Sequence, residues 1–188
     1  MRSLKSSYHT LVPSVFGTVA IVWQKTENRP KVRRIFLPHK KVPVKNLIKA
    51  EFINSTLMSC EGILELGERI QDFLNGEPVK FELDIVALEV CSAFQRRVLL
   101  AEYGIPRGWV STYGRISKNL GIVKGARAIG RALSRNPFPI VIPCHRAIRS
   151  NGELGGFQGG VRMKRTLLEY EGVSISNEGN VLTTRIYY

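Results

Sequence analysis

Residues 14–25 (SVFGTVAIVWQK) are crowded with Val, Ile, Phe and Trp, a composition that predicts a β-strand. The turn-forming stretch TENRP follows, and KVRRIFLP then predicts a second strand that closes a hairpin. Residues 40–57 are basic and interrupted by proline, and their pattern defines no element. Between Glu61 and Leu74 the period changes: Ile63, Leu66, Ile70, Phe73 and Leu74 recur at helical spacing, and NGEP stops the run. KFELDIVALE then reads as a strand or an extended linker.

The second half is predicted to be mostly helical. SAFQRRVLLAEYGIP opens on a serine cap, sets Phe94, Val98 and Ala101 on one side, and ends at Gly104 and Pro106. STYGRISKNLG makes a short helix ending at Gly121, and KGARAIGRALSRNP makes another, stopped by Asn136–Pro137. Two short helices around a glycine-containing turn predict a helix-turn-helix. FPIVIPCHRAI is a β-branched, extended run that carries Cys144 near its end. A glycine-rich loop (NGELGGFQGG), a helix (VRMKRTLLEYEG) and a terminal hairpin around Asn180 complete the chain. The expected fold class is α+β. An N-terminal α/β domain, residues 1–85, holds a small antiparallel sheet and a helix; a mostly helical C-terminal domain, residues 86–188, holds the helix-turn-helix and Cys144.

Charge sharpens this division. Residues 1–50 carry 11 Lys/Arg and one acid, residues 51–85 carry two against eight, and residues 86–188 carry 15 against six, for a formal net charge of +13 over 188 residues. Solubility alone asks for a net charge of only about 2–8 in a small domain. A polyanion that touches some faces and not others is the expected partner, and nucleic acid is the first candidate. Lys124, Arg127, Arg131 and Arg135 recur every three or four residues and form a basic stripe along the second short helix. Gly125, Ala126, Ala128, Gly130 and Ala132 keep the rest of that helix small, so it can approach a partner closely while the stripe meets phosphates. The competing account is a solvated face with alanines chosen for helix propensity. No apolar run approaches the roughly 18 residues of a membrane span. The N-terminus has charges but no compact apolar stretch, so no membrane and no secretion are expected, and the expected location is cytoplasmic, or nuclear in a eukaryote.

Three cysteines, Cys60, Cys91 and Cys144, cannot all pair, and none lies within four residues of another, so neither a disulfide framework nor a Cys-based zinc site is expected. Pro143-Cys144-His145-Arg146 is the sharpest local feature. A thiolate is the nucleophilic form of cysteine, so a reactive thiol needs a proton acceptor, and His145 is adjacent. Neighbours in an extended chain point to opposite sides, so a bridging water or a bend must join the two. A carboxylate could hold the imidazole in its useful tautomer; Glu171 is one candidate, with Glu169 and Glu153 as rivals. The plain alternative is a buried core cysteine, which is also the reading for Cys60 and Cys91. Trp23 and Trp109 are expected in the core or beneath a loop, and Arg146 as an ion-pair partner.

NPFPIVIPCHRAI, preceded by STYGRI and GARAIGRAL and followed by GGFQGG and LLEYEG, resembles the O6-alkylguanine-DNA alkyltransferases over roughly residues 92–173. The resemblance implies a monomer that binds double-stranded DNA containing O6-alkylguanine, with no cofactor and no metal; His9 and His39 have no nearby cysteine. It implies a recognition helix in the minor groove with Arg127 at the family's finger position. The stripe and small face read above add Lys124, Gly125, Ala126, Ala128, Gly130, Arg131 and Arg135 as expected DNA contacts, and Arg131 and Arg135 stand where relatives often have smaller residues, which suggests extra phosphate contacts. The damaged base is flipped out, Arg127 fills the gap, and Tyr113 helps rotate the nucleotide and bonds the guanine ring. Cys144 accepts the alkyl group, His145 takes the thiol proton through a water, Glu171 orients His145, and Asn136 ties the recognition helix to the active-site segment. The base pocket is implied to involve Ala147, Phe157, Gln158 and Gly159, with the main-chain carbonyls of Cys144 and Ala147 reading the guanine amine. A thioether is a poor leaving group, so the protein is spent after one transfer. Phe157 and Gln158 stand where many relatives carry Tyr and a small or hydroxyl residue. Three other readings compete: a lesion-binding relative without chemistry, a helix-turn-helix transcription regulator, and a cysteine hydrolase. Cys144 counts against the first, the small helix face against the second, and the lack of an oxyanion loop against the third.

Overall fold

The computed structural model describes residues 6–39 and 41–188. The first five residues, whose charges entered the argument against a leader, and Lys40 lie outside the described part. The chain forms two compact units that divide between Val90 and Cys91, a little beyond the change of charge sign after Ile85.

In the N-terminal unit, β1 (Tyr8–Val12), β2 (Val19–Gln24), β3 (Lys31–Phe36) and β4 (Thr56–Leu57) make one sheet in the order β3-β2-β1-β4. The expected hairpin is β2–β3, paired antiparallel with a bulge at Val22/Trp23. The sheet is mixed rather than purely antiparallel, because β4 runs parallel to β1. A parallel partner needs a crossover. The chain supplies one through β2, β3 and a helix, α1 (Val44–Glu51), that forms within the basic stretch 40–57. On β2, Ala20 and Val22 pack with Phe36 and Ile48 beneath α1. The opposite face takes α2 (Glu61–Leu74), which buries Ile63, Leu66, Ile70, Phe73 and Leu74. A Cβ at Gly67 would stand 3.1 Å from Val12 Cγ2, so glycine lets α2 lie close on β1. Cover on both faces explains why VAIVW is continuously apolar rather than alternating. Trp23 is fully buried, its Nε1 donating to Thr10 Oγ1 at 3.2 Å. KFELDIVALE is neither strand nor plain linker: it carries short 3-10 turns at Leu83–Ile85 and Leu88–Val90.

The C-terminal unit begins with α3 (Ala93–Tyr103), whose N-cap Ser92 accepts from the Gln95 amide. The buried side of α3 is Val98, Leu99, Ala101 and Glu102, whereas Phe94 stays 38% exposed, contrary to its expected place on the inner face. β5 (Ser111–Thr112) leads directly into α4 (Tyr113–Asn119), with Thr112 capping the helix. A tight turn follows, then α5 (Ala126–Ser134), and the two helices pack as the expected helix-turn-helix. Ser117 closes the turn, its Oγ donating to Ile122 O at 2.6 Å and accepting from the Gly125 amide at 3.1 Å. A Cβ at Gly125 would meet Ile122 Cγ2 at 2.5 Å, so only glycine fits there.

The segment after α5 departs from the extended run expected of FPIVIPCHRAI. Ile140 adopts φ 76°, a left-handed conformation that costs a β-branched residue strain. A 3-10 turn over Cys144–Arg146 precedes β6 (Ala147–Ile148), which pairs parallel with β5. α6 (Gly160–Tyr170) and a hairpin of β7 (Ser174–Ile175) and β8 (Val181–Leu182) follow. Trp109 is not in the core: it is 37% exposed, its ring edge-on to Tyr187 in the irregular C-terminal segment.

Candidate active site

The β5–β6 pair positions the site. Because Ser111 is registered with Ala147, the 3-10 turn entering β6 stands beside the start of α4. Cys144 and Tyr113 thereby line one pocket of about 260 Å³, together with Gly130, Leu133 and Ser134 of α5 and Gly156, Phe157 and Gln158 of the glycine-rich loop. The loop must come close: a Cβ at Gly155, which has φ +72°, would stand 2.9 Å from the Tyr113 hydroxyl.

Asn136 holds the strained turn at both ends. Its Oδ1 accepts from the Phe138 amide at 2.9 Å and its Nδ2 donates to Ile142 O at 3.0 Å. A main-chain bond from the Cys144 amide to Ile142 O, 2.8 Å, continues the same coil. Gln158 Nε2 donates to Asn136 O at 2.7 Å and so ties the loop to the end of α5.

The bend at Cys144–Arg146 sends His145 into the interior, where it is fully buried. Its Nε2 lies 3.0 Å from Glu171 Oε1. Glu169 and Glu153 do not reach it; each makes an exposed ion pair four residues away, with Arg165 and Arg149. Arg146 grips the same Glu171 carboxylate through Nη2 to Oε1 at 2.7 Å and Nε to Oε2 at 2.9 Å, and its Nη1 donates to Ile105 O at 2.6 Å. Phe157 stands edge-on to the imidazole at 6.2 Å.

These contacts set the charges. Burial alone raises the Glu171 carboxyl, but His145 and Arg146 overcome it and hold the group at about 2. Burial pushes His145 below its usual value against the pull of Glu171. Burial pushes the Cys144 thiol up to about 12, with the Asn136 side chain working in the opposite direction. Burial also raises Tyr113, helped by the nearby Glu102 and Cys144. The resting thiol is therefore neutral and only 6% exposed, and it needs a base at the moment of reaction. If Nε2–H donates to Glu171, Nδ1 carries the lone pair that can serve.

The DNA-directed candidates fall into two groups. Arg127, Ala128, Arg131 and Arg135 are exposed on α5 or at its end, and Gly130 faces the pocket. Lys124 is exposed but lies in the turn with φ 52°, so the helical part of the stripe starts at Arg127. Gly125 is buried in the turn and Ala126 is half-buried. Ala147 is fully buried and Gly159 is the N-cap of α6; neither lines the pocket. Cys91 is buried, while Cys60 is only partly so and caps α2. Among the described residues no group of three or more His, Cys, Asp and Glu could hold a metal ion, and no helix is long and apolar enough to cross a membrane.

Three residues were not singled out from the sequence. Ser117 gave no signal beyond its place in a short helix. Glu102 and Lys164 are single charges within helical stretches, and both are fully buried.

Fold and site together define an α+β protein whose helix-turn-helix forms one wall of a thiol pocket. Residues 93–173 match the family model for the 6-O-methylguanine DNA methyltransferase DNA-binding domain. The methylated-DNA–protein-cysteine methyltransferase of Methanothermobacter thermautotrophicus is 47% identical over 116 residues, 62% of this chain and 65% of that protein, so the match spans just under two thirds of it. The Methanosarcina acetivorans protein of the same name is 38% identical over 66% of this chain and 78% of its own length. The crystal structure of Mycobacterium tuberculosis O6-methylguanine methyltransferase superposes with a TM-score of 0.69 at 25% identity, covering 88% of this chain and 92% of that one. A second structure, of Mycobacterium tuberculosis OGT in complex with DNA, superposes at 0.68 with 26% identity over 87% and 92%. The chain belongs to the methylated-DNA–protein-cysteine methyltransferase family.

Proposed function

We propose that this protein repairs DNA by moving the O6-alkyl group of guanine irreversibly onto its own Cys144. The observation that carries the reading is the pocket itself. A buried thiol, with a Glu171-bound imidazole next to it in the chain, shares one recess with Tyr113 and with α5. At about 260 Å³ the recess falls below the roughly 300–1,000 Å³ of drug-sized sites and suits a single flipped base.

In this mechanism the exposed arginines of α5 meet the phosphates of double-stranded DNA, and the small face around Ala128 and Gly130 lets the helix enter the minor groove. Arg127 fills the space of the extruded base. A bound base completes the exclusion of water, and His145 Nδ1 accepts the Cys144 proton through a water molecule. Glu171, held ionised by Arg146, stabilises the imidazolium that forms. The thiolate attacks the alkyl carbon in line; the S–C bond forms as the C–O6 bond breaks, and the electron pair passes to the guanine ring. Tyr113 donates to the ring and Gln158, which lines the pocket, supplies a second donor for O6, so charge developing on the leaving base is met by donors. The main-chain carbonyls of Cys144 and Ala147 take the guanine amine. The thioether cannot leave again, so one molecule performs one transfer, as a monomer and without cofactor or metal.

An oligonucleotide carrying O6-methylguanine tests the reading by intact and peptide mass. One methyl gained on the Cys144 peptide, and none in Cys144→Ala, is the expected outcome. Binding without mass gain would overturn it in favour of a lesion-binding role.

A further inference from the structure

The first fifty residues hold 11 Lys/Arg against one acid, and the alkyl-transfer mechanism makes no use of that charge. Part of it lies on the outer side of α1. Lys45 and Lys49, four residues apart, share one side of that helix, and Lys41 stands in the segment that enters it. All three are exposed, and among the described residues none of them has an ion-pair partner. The one acid of α1, Glu51, is taken by Arg34 of β3 at 3.6 Å.

The other face of the same sheet has the opposite sign. There α2 presents Glu61, Glu65, Glu68 and Asp72 to solvent, and its single cation, Arg69, is turned to the Lys80 carbonyl. Two helix diameters, about 20 Å, separate the outer surfaces of helices on opposite faces of a sheet, whereas exposed charges beyond about 8 Å are largely screened at physiological salt. The two layers therefore do not neutralise each other.

Neither solubility nor helix stability accounts for this segregation. A soluble surface intersperses both signs. Like charges four apart on a helix repel. Lys45 lies in the first turn of α1, which holds no acid, and a cation there meets the positive end of the helix dipole. What matches such a face is a line of negative charge. Lysine is a flexible point charge, and it meets phosphates without a fixed geometry and without regard to base sequence.

We propose that the α1 face of the N-terminal unit is a second contact surface for the phosphate backbone of duplex DNA, through Lys41, Lys45 and Lys49. The choice of partner rests on the DNA-repair reading. A duplex carries one charge per about 1.7 Å of its axis, so it offers phosphates well beyond the base that is repaired. The same backbone repels α2 and keeps the acidic side of the unit off the DNA. The contact adds affinity for damaged and undamaged duplex alike.

The test is the salt dependence of binding of the full chain to an undamaged duplex. Each phosphate contact contributes about 0.9 to the slope of log K against log salt, so Lys41→Gln, Lys45→Gln, Lys49→Gln together make it shallower by about 2 to 3. Raising salt from 50 to 200 mM then costs the variant roughly 10- to 40-fold less affinity than it costs the wild type. The corresponding arginine variant keeps the wild-type slope. Single glutamine variants, each shallower by about 0.9, carry the test where the triple variant folds poorly. A slope unchanged in all of them overturns the proposal. Glu61→Gln, Glu65→Gln, Glu68→Gln changes the net charge by the same amount on α2 and leaves the slope as it was; a slope that steepens there by as much as it falls on α1 shows that net charge alone is sensed, and overturns the proposal too. Self-association of DNA-free protein that is lost in both the lysine and the glutamate variants assigns the face to a second copy of the chain, with the same consequence. Wild-type protein that binds no duplex at 50 mM salt refutes the DNA reading itself, an outcome distinct from binding whose slope the variants do not alter.

Discussion

Among the described residues, the N-terminal unit buries one polar side chain, Thr10, whereas the C-terminal unit buries Glu102, Ser111, Ser117, Asn136, His145, Arg146, Lys164 and Glu171. Both units are of similar length and both have fully buried aliphatic clusters, so size does not explain the difference. The N-terminal unit has the interior expected of a sheet covered on both faces. The C-terminal unit gives up much of that apolar interior to charged groups whose burial costs several kcal/mol each unless paired. Such groups concentrate where chemistry is done. In this protein Asn136, His145, Arg146 and Glu171 are bonded to, or lie within, the turn that carries Cys144, which is where the proposed reaction is placed. The cost of burial also explains why the bonds to Asn136 and Glu171 are so complete: a partly satisfied buried network is worse than none.

The contrast can be broken most forcefully at Glu171. Glu171→Gln removes the charge that both His145 and Arg146 face, and we expect a loss of about 3–5 kcal/mol, localised by hydrogen exchange to the amides of α6 and its neighbours. The pH dependence follows the same bonds. His145 and Glu171 both have native pKa values below their unfolded values, so the unfolded state takes up protons first as pH falls. Stability present above about pH 6.5 is lost first through His145. The contribution of Glu171 is lost from about pH 4.5 downward towards its native value of about 2. The lower window should vanish in Glu171→Gln. If acid unfolding in that variant tracks the wild type, the network does not control the C-terminal unit.

A smaller effect is expected from the surface of α5. Arg127 is exposed, and surface substitutions away from caps and buried networks change stability little, so Arg127→Ala should leave thermal unfolding unchanged. It should slow transfer from duplex DNA by roughly tenfold or more, about 1.4 kcal/mol in the barrier, while transfer to the free modified base changes little. Equal slowing on both substrates would remove Arg127 from its gap-filling role. The smallest effect belongs to the N-terminal unit. Ile70→Val should cost about 0.5–1.5 kcal/mol by cavity formation and leave the rate of transfer as it was. A change in transfer rate at Ile70 would show that the apolar unit is not energetically separate from the reaction.

Much of the scaffold could be read locally. The helix over Glu61–Leu74 has the bounds its periodicity marks, Ser92 caps α3, and β2–β3 is the hairpin announced by TENRP. Elements with weak local signals were harder. β1 is a short, half-polar strand, YHTLV, and its pairing with β2 rather than its composition defines it. α1 forms in a proline-flanked basic stretch because Val44, Leu47 and Ile48 find the sheet. Phe94 illustrates the opposite case: helical spacing puts it near the apolar side, yet the neighbouring elements leave it uncovered.

At the site, residue type and order along the chain were enough to single out Cys144 and His145, because a reactive thiol needs a proton acceptor, whereas Tyr113 and Asn136 were named only through the family resemblance. Which glutamate meets His145, by contrast, was settled by packing: three candidates lay within reach in sequence, and only Glu171 is carried to the imidazole by α6. The same holds for Glu102 and Lys164, which look like exposed helix charges until α3 and α6 close around the cysteine turn. Burial and the partner of a charge depend on residues far away in the chain, so they emerge only when the elements come together. The bend that makes a Cys–His dipeptide usable, with Ile140 forced to φ 76° and Asn136 bonding both sides of it, is of that kind as well.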